Sequence, residues 1–325
     1  MPTIRRSTIL PRRPVMGKAG GRIEKVMKQR YTMVGLGELL WDMLPGGKHL
    51  GGGPANFAYF AHILGDNAIV ASRVGEDALG REALQRLRKL GLRSSHVQLD
   101  PAHPTSTVRV EIDKSGQPGF TITRAVAWDF LSWTPAWKRL AQRADVVCFG
   151  SLAQRSAVSR KAVLMFLRST RPATLRVFDV NLRPPFYSTK VISNSLRLAN
   201  IVKVNDEELP HIMERMNLSY STQEKSARTL LRHFNLRLVC VTRGSRGSLL
   251  VTQNQVARHR GVKCSVADTV GAGDAFTAAL VHHYLRGAPL DRINDAANHL
   301  GSWVASEPGA TPPITLAQRA IMGFN

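Results

Sequence analysis

The sequence predicts an α/β fold of three layers, in which a mostly parallel central sheet lies between helices on both of its faces. Short apolar segments typical of buried strands alternate along the chain with segments that have the apolar period of a helix. This alternation favours a parallel sheet, because each helix carries the chain back to the edge where the next strand begins. Two further segments, near 106–125 and 248–260, alternate in polarity around turn residues and predict hairpins that form inserts or edge strands.

The predicted elements follow one another in a regular order. Strands are predicted by the apolar segments that begin at Tyr31, Asn67, Ala144, Leu175, Asn200 and Leu236. Helices are predicted within 49–65 and at 77–91, 156–169, 189–199, 222–234, 274–286 and 291–305. The first two helices end at Gly65 and Gly91, because glycine readily adopts the left-handed conformation that commonly ends a helix.

Length and composition limit the classes of protein to consider. With 325 residues and 43% hydrophobic content, the chain suits one large α/β domain, or one domain with a small appendage. No apolar segment approaches the roughly 18 residues of a membrane-spanning helix, so no membrane contact is predicted. Cys148 and Cys240 lie in strand-like segments typical of buried thiols, and Cys264 lies far from both. The absence of paired cysteines predicts a cytoplasmic protein.

The first 30 residues differ in composition from the rest of the chain. They contain nine basic residues and one acid, together with three prolines and three glycines, and they carry +8 of the net charge of +22. We therefore expect 1–30 to be a basic, disordered extension and 31–325 to be the folded domain. A transit peptide, a nucleic-acid-binding tail and a true start at Met27 are the alternatives for this segment.

Three common ligand motifs are incomplete in this sequence. The segment GLGEL at 35–39 follows a strand, but the third glycine of a dinucleotide-binding loop would fall at Leu40. The segment GGKH at 46–49 has His49 and Asp42 where a phosphate-binding P-loop needs a hydroxyl residue and a glycine. The histidines do not form the His-Glu-x-x-His pattern of a zinc site.

The segment DTVGAGDAF at 268–276 brings two glycines and two carboxylates to the start of an apolar helix. Gly271, Ala272 and Gly273 have little or no side chain, so their backbone can approach a ligand closely. A helix N-terminus has free N–H donors and a partial positive charge, which suits a phosphate group. Asp274 lies at the same helix start, where it either caps the helix or acts as a base beside an anion site.

A second glycine-rich turn, GGGPANFA at 51–58, leads into another helix. Asn56 lies in the first turn of that helix, and Asp42 is expected at the end of the first strand. A carboxylate accepts hydrogen bonds and an amide both donates and accepts, so the two side chains suit neighbouring hydroxyl groups. Each also has a purely structural interpretation, Asn56 as a helix cap and Asp42 as a loop acid.

Three more clusters follow strands, at the edge where open α/β sheets bind ligands. They are FDVNLRP at 178–184, VKVNDEE at 202–208 and VTRGSRG at 241–247. An Asn-x-x-Glu pair such as that in the second cluster orders Mg²⁺ through water, or it caps the following helix. The candidate residues are Asn181, Asn205, Glu208, Thr242, Gly244 and Gly247.

From about Tyr31 to about Pro313 the chain resembles the ribokinase-like sugar kinases, also called the phosphofructokinase-B family. The segment GGGPANFAYFAHILGDNAIVASRVGEDALG is similar to the N-terminal signature of that family, and DTVGAGDAFTAALVHHYLRG is similar to its more specific C-terminal signature. The resemblance implies the ribokinase-like fold with a small β-sheet lid, whose strands would lie at about 39–52 and 105–125. It also implies ATP-dependent phosphorylation of a sugar hydroxyl.

The resemblance assigns roles to the candidate residues. Asp274 would be the base, and Gly271, Ala272 and Gly273 would form the anion hole for the transferring phosphoryl group. The sugar would be held by Asp42, Gly53 and Asn56, and the nucleotide by Asn181, Thr242, Gly244 and Gly247. Asn205 and Glu208 would order Mg²⁺, and Asp268 resembles part of a monovalent-cation loop that would bind K⁺.

Several segments look most like the fructokinase branch, namely GELLWDMLPGG, TSTVRVEID and AVAWD, so fructose is the first choice of substrate. Ribokinase and 2-keto-3-deoxygluconate kinase activities are the alternatives, although Pro54 stands near the place where ribokinases typically carry a lysine. Arg109 and Arg124, on or near the lid hairpin, either contact a substrate anion or simply face solvent. The lid often makes a dimer contact in this family, which implies a homodimer.

A non-catalytic function is the alternative of another class. The charge of +22 and the arginine-rich first 30 residues would suit a sugar-sensing or nucleic-acid-binding protein. Such a protein would have no chemical need for Asp274, so nucleic acid is not an expected partner.

Overall fold

The computed structural model describes residues 29–44, 46–112 and 118–315. The predicted extension at 1–30 therefore lies outside the described residues, apart from its last two positions. Within the described ranges, no helix is both long enough and apolar enough to cross a membrane.

The central sheet contains nine of the strands. They are Thr32–Leu36 (β1), Asn67–Gly75 (β4), Val97–Asp100 (β5), Val146–Phe149 (β8), Leu175–Asp179 (β9), Ile201–Asn205 (β10), Leu238–Thr242 (β11), Ser248–Val251 (β12) and Val256–His259 (β13). Their order is β13-β12-β11-β10-β9-β8-β1-β4-β5. All pairs from β11 to β5 are parallel, whereas β12 and β13 pair antiparallel at one edge. The predicted parallel sheet and its edge hairpin are confirmed.

Helices cover both faces of this sheet, as predicted. They are Gly53–Ile63 (α1), Ala78–Lys89 (α2), Pro135–Arg143 (α3), Ala157–Arg168 (α4), Thr189–Leu198 (α5), Glu208–Arg215 (α6), Gln223–His233 (α7), Ala272–Leu285 (α8) and Leu290–Ala305 (α9). Apolar side chains of α1, α2, α8 and α9 form one buried cluster with Met33 and Cys148. Those of α3 to α7 form a second cluster with Val34 and Val147. Successive strand residues point to opposite faces, so the central strands are buried on both sides.

A smaller sheet contains the predicted lid strands. Its strands are Leu40–Leu44 (β2), Gly47–Gly51 (β3), Ser106–Ile112 (β6) and Pro118–Ile122 (β7), in the order β3-β2-β6-β7. The β2–β3 and β6–β7 pairs are antiparallel, and β2 joins β6 in parallel. The predicted α/β fold, with a mostly parallel central sheet and a smaller separate sheet, is therefore confirmed.

The strand pattern near the N-terminus divides between the two sheets. The sequence predicts Asp42 at the end of the first strand, but β1 ends at Leu36 and Asp42 lies within β2 of the smaller sheet. The apolar residues continue from one strand into the other, so periodicity alone does not mark the break. The sequence analysis does not predict strand β5 or helix α3. Strand β5 has only four residues, too few to show a clear alternation of apolar and polar residues.

Gly35 lies where β1 packs closely against α1. A Cβ atom on Gly35 would lie 1.9 Å from the carbonyl oxygen of Pro54, so Gly35→Ala has to displace the start of α1. We expect this substitution to lower the free energy of unfolding by about 1–3 kcal/mol, as measured by urea denaturation. The matched control is Gly46→Ala, because a Cβ atom on Gly46 meets nothing within 4 Å. Equal destabilisation by both substitutions would contradict the assigned contact.

Candidate active site

Three of the predicted clusters lie at the carboxyl edge of the central sheet. Strands β9, β10 and β11 are neighbours and end at Asp179, Asn205 and Thr242. Asn205 and Thr242 are also partners in the parallel register of β10 and β11. The three clusters therefore lie side by side, at the edge where a parallel sheet binds ligands.

The starts of helices α1 and α8 meet at the same site. Asn56 Nδ2 in α1 donates a hydrogen bond of 2.9 Å to Asp274 Oδ2 in α8. A Cβ atom on Gly53 would lie 3.2 Å from Asp274 Oδ1, so the other carboxylate oxygen also faces α1. Of the two interpretations of Asp274, these contacts favour an outward-facing acid over a helix cap.

Gly271 immediately precedes α8 in a conformation that favours glycine. Its φ is 81°, in the left-handed region, and a Cβ atom there would lie 2.4 Å from the carbonyl oxygen of Ala310. The N–H groups of Gly273 and Asp274 lie in the first turn of α8, where intrahelical acceptors are missing. The backbone at this helix start therefore presents donors beside the Asp274 carboxylate.

The pKa of Asp274 is raised to about 7. Burial is the largest cause, followed by the negative charge of Asp179, with a smaller contribution from Glu38. The cation of Lys203 and the hydrogen bond from Asn56 act in the opposite direction. A carboxyl group with this pKa gives up and takes back a proton near neutral pH, as a general base must.

Lys203 is a cation beside Asp274, and its side chain is 12% exposed. Its Nζ donates hydrogen bonds of 3.0 and 3.1 Å to the two carboxylate oxygens of Asp179. Burial opposes the charge on Lys203, but neighbouring carboxylates outweigh burial and raise its pKa. They belong to Asp179, Glu208 and Asp274. A Cβ atom on Gly273 would lie 3.0 Å from Nζ, so the lysine reaches the backbone at the start of α8.

Glu38, just beyond β1, is only 5% exposed. Burial raises its pKa, and the nearby guanidinium groups of Arg183 and Arg155 counteract this effect in part. Its Oε2 atom is buried, and no described residue donates a hydrogen bond to it. Together with Asn181 and Asp274, it lines a narrow cleft. Glu38 therefore contributes an acceptor without a partner close to the candidate base.

Asp42 is a half-buried acid on β2 of the smaller sheet. Burial raises its pKa to about 6, and Asp268 adds to this rise, whereas His49 and Arg183 oppose it. A Cβ atom on Gly51 would lie 2.2 Å from Asp42 Oδ2, so the glycine on β3 leaves room for the carboxylate. These interactions place Asp42 near the loop that leads into α8, although it comes from a different sheet.

Asp268 shapes that loop. Its Oδ1 accepts a hydrogen bond of 2.9 Å from the N–H of Val270, and its Oδ2 accepts one of 3.3 Å from the N–H of Gly309. Asp268 thus connects the loop before α8 to the segment after α9.

Asn205 and Glu208 bind each other's backbone. Asn205 Oδ1 accepts hydrogen bonds of 3.0 and 2.7 Å from the N–H groups of Glu207 and Glu208. The two oxygens of Glu208 accept from the N–H groups of Leu182 at 2.7 Å and Asn205 at 2.9 Å. In the described part of the chain, no group of three or more His, Cys, Asp or Glu side chains could hold a metal ion. Each carboxylate oxygen keeps a further lone pair, which fits contact with a metal through water.

The segment after β11 forms a tight turn. Gly247 has a φ of 80°, and a Cβ atom there would lie 2.2 Å from the carbonyl oxygen of His259. Gly244 has a φ of 54° and open space around it, so its backbone is accessible to a ligand. The Thr242 hydroxyl is 3.4 Å from the carbonyl oxygen of Val204, in the neighbouring strand.

Asn181, which the resemblance assigns to the nucleotide, lies closer to the sugar candidates. Its Nδ2 would be 3.9 Å from a Cβ atom on Gly53, and it lines the same cleft as Glu38 and Asp274. Its φ is positive, at 39°, which is uncommon for a residue other than glycine. The structure therefore brings Asn181 together with Asp274 in one cleft, which Gly244 and Gly247 do not line.

Residues 43–316 match the model of the pfkB family of carbohydrate kinases. The chain belongs to this family. A fructokinase of Salmonella typhimurium is 34% identical to this chain over 258 residues, a match that covers 76% of this chain and 82% of the relative.

Solved structures of two similar proteins agree with this assignment. The fructokinase of Vibrio cholerae O395, in its form with fructose, ADP and calcium ion, is 25% identical with a TM-score of 0.73, covering 91% of this chain and 99% of that one. A sugar kinase of Pyrococcus horikoshii in complex with ATP is 27% identical with a TM-score of 0.72, covering 86% and 94%. The predicted fructokinase-like branch and the predicted enzyme class, an ATP-dependent carbohydrate kinase, are confirmed.

Two charged side chains of the site have no role in the sequence prediction. Lys203 is a charged residue inside the apolar strand segment IVKVN, and Glu38 lies in the apolar segment GLGELLW. A charged residue inside an apolar segment is rarely buried without a partner. The sequence therefore contained a signal that each of these side chains has a binding partner or a function. The residues that surround them come from distant segments, which the pattern does not reveal.

The ion pair between Lys203 and Asp179 can be tested by its effect on stability. Lys203→Met leaves the buried Asp179 without its cation, so we expect the free energy of unfolding to fall by about 3–5 kcal/mol in urea denaturation. Adding Asp179→Asn should recover part of this loss, because it removes the unpaired charge. Arg246→Gln is the control, since its ion pair with Asp206 is exposed and should change stability by less than about 1 kcal/mol. A double variant no more stable than Lys203→Met would contradict the pair.

Proposed function

We propose that this pfkB kinase transfers the γ-phosphate of ATP to a hydroxyl group of fructose, with Asp274 as the general base. The observation that carries the proposal is the position of the Asp274 carboxylate. It faces the start of α1, accepts a hydrogen bond from Asn56, and lies at the N-terminus of α8. A hydroxyl group bound beside it would lie between a proton acceptor and a row of backbone donors.

The proton step follows from the pKa of Asp274. With a pKa of about 7, the Asp274 carboxyl group is about half ionised at neutral pH, and its ionised form accepts the hydroxyl proton. The hydroxyl oxygen forms its bond to the γ-phosphorus as the bond to the leaving ADP oxygen breaks. Proton removal by an aspartate is sufficient, because phosphoryl transfer depends mainly on positioning and charge neutralisation.

Charge neutralisation is the proposed task of the α8 start and of Lys203. The N–H groups of Gly271, Ala272 and Gly273 would form the anion hole for the transferring phosphoryl group, aided by the positive end of the helix dipole. The lysine ammonium group lies 3.0 Å from the Cβ position of Gly273, so it is within reach of an anion bound there. The positive charge at this helix start thus has two sources, backbone and side chain.

Four side chains are proposed to bind the sugar hydroxyl groups. Asn56 lies next to the base, Asp42 approaches from the smaller sheet, and Glu38 has a free acceptor atom in the same cleft. Asn181 lines that cleft as a fourth candidate. Gly53 would leave space for the sugar, since any side chain there would approach Asp274.

The nucleotide is proposed to lie along the edge formed by β10 and β11. Thr242, Gly244 and Gly247 would line its site, and Asn205 and Glu208 would hold Mg²⁺ through water. The metal would supply positive charge to the phosphates when bound. Asp268 and the loop it shapes are the proposed K⁺ site.

Compartment and assembly remain predictions. All three cysteines are free thiols, which supports a reducing, cytoplasmic environment. A homodimer would form through the smaller sheet.

Asp274→Asn tests the proposed base. The amide keeps the size of the side chain and an acceptor for Asn56, but it cannot take a proton. We expect kcat with fructose to fall by about 10²–10⁴-fold in an assay of ADP release, while ATP affinity measured by calorimetry changes little. Asp291→Asn, at an exposed position of α9, is the charge-matched control and should retain activity. Turnover by Asp274→Asn close to that of the wild type would rule out the assigned base.

A panel of sugars tests the proposed substrate. We expect the highest kcat/KM with fructose, and lower values with ribose, 2-keto-3-deoxygluconate, tagatose and nucleosides, in the same ADP-release assay. A higher kcat/KM for ribose or 2-keto-3-deoxygluconate would replace the substrate but leave the assigned base intact.

The pH profile tests the environment of Asp274. Because its pKa is raised to about 7, the ionised form declines below that pH, and kcat/KM should fall about tenfold per unit on the acid side. Glu38→Gln removes a negative charge that raises this pKa, so we expect the acid limb to move to lower pH. An acid limb that does not move, in a variant with normal thermal stability, would contradict the coupling between the two carboxylates.

A further inference from the structure

A cavity of about 510 Å³ lies between the starts of helices α4 and α5 and the segment that follows β7. We propose that this cavity binds a small anion, namely a phosphate or carboxylate group. Its size falls within the usual range of small-molecule sites. The proposal concerns a site beyond the proposed catalytic residues, none of which lines this cavity.

The charged residues that line the cavity are mostly cationic. Arg124, Arg155 and Arg160 are on its wall, together with one acid, Asp129. Asp129 already accepts two hydrogen bonds from Arg155, one of 2.7 Å from Nε and one of 2.8 Å from Nη2. Arg124 and Arg160 therefore leave a positive charge that the acid does not neutralise. A guanidinium group can donate two parallel hydrogen bonds to two oxygens of one phosphate or carboxylate group. Such an anion is therefore the preferred ligand for these arginines.

Two helix N-termini add to the positive potential. Ser156 is the N-cap of α4 and Ser188 is the N-cap of α5, and both line the cavity. The helices have 12 and 10 residues, so each start carries the partial positive charge of a helix dipole. Two helix starts and three arginines around one space form an arrangement that suits an anion.

Arg155 is a cation fixed in the wall of the cavity, and its set of hydrogen bonds is incomplete. Its side chain is 8% exposed, yet its Nη1 atom is buried and has no acceptor among the described residues. Buried donors of charged groups are seldom left without a partner, because the lost hydration is costly. The guanidinium group is held in place by the ring of Trp128, at 3.9 Å from its centroid, and by that of Phe186, at 4.8 Å.

A lining residue of the cavity, Arg155, interacts electrostatically with the candidate active site. Arg155 lies close enough to Glu38 to lower the pKa of that buried carboxyl group. Its Nη2 also donates to the carbonyl oxygen of Thr123, which follows β7 of the smaller sheet. An anion bound to Arg155 would weaken its effect on Glu38. The anion has two sources, a charged group carried by the sugar or a free metabolite that binds beside it.

Calorimetric titration of the full chain with inorganic phosphate tests the site, with chloride at the same ionic strength as the reference. We expect saturable binding of phosphate, and at least tenfold weaker binding in the double variant Arg124→Gln/Arg160→Gln. Arg88→Gln, at an exposed position of α2, is the control for the loss of an arginine outside the cavity. Thermal unfolding of every variant verifies that the fold is retained, and Arg124→Gln alone serves if the double variant unfolds.

Kinetics then distinguish the two sources of the anion. Phosphate that raises only the KM for the sugar supports a charged group on the substrate, and phosphate that changes kcat supports a free metabolite. The proposal is overturned by phosphate binding no stronger than chloride binding, or by equal affinity in the wild type and the cavity variants. Each of these results is independent of the identity of the catalytic base, so failure of this proposal would not remove the proposed kinase function.

Discussion

Mutual repulsion among buried carboxylates is the constraint on which the candidate active site depends. Asp179, Glu208 and Asp274 all lie close enough to Lys203 to raise its pKa, and Asp179 binds its ammonium group directly. The parallel register of β9 and β10 places Lys203 opposite Asp179, so the central sheet itself sets this balance of charge. Thr277 of α8 donates a further hydrogen bond to Asp179, which ties the helix with the candidate base to the same pair. Without the lysine, burial of these acids would cost several kcal/mol.

The balance between Lys203 and the surrounding carboxylates also explains how an acidic cleft can lie beside a site for the polyanion ATP. Carboxylates accept hydrogen bonds from sugar hydroxyl groups, but they repel phosphate, so the two ligands need separate surroundings. Glu38 and Asp274 lie in the cleft proposed for the sugar, whereas the start of α8 and Lys203 present positive charge toward the proposed phosphoryl group. A metal held through water near Glu208 would add positive charge on the nucleotide side. In the proposed reaction, acceptor groups would thus surround the sugar and positive charges would surround the phosphates.

The sequence predicts local features of this site better than it predicts their assembly. The parallel sheet, its helices and the hairpins follow from period and turn residues, which are local properties. Asn56 and Asp274 are separated by 218 residues, and their hydrogen bond appears only when α1 and α8 meet. Asp42 was expected at the end of β1 because the apolar pattern continues through Glu38, yet it belongs to another sheet. Lys203 was not singled out in the sequence, although it is a charge in an apolar strand, and its partner Asp179 is set by strand order.

Two regions of opposite charge influence each other through Glu38 and Arg155, and this interaction bears on the identity of the sugar. A neutral sugar such as fructose would occupy only the acidic cleft, and the arginine-lined cavity would remain for a separate anion. A sugar with a carboxylate or phosphate group could occupy both, with its hydroxyl groups toward Asp274 and its anion toward Arg124. Because a guanidinium–anion pair favours one orientation, the cavity would then also decide which hydroxyl faces the base. Under this proposal, substrate choice would depend on the cavity as well as on the cleft, although the two share no lining residue among the described residues.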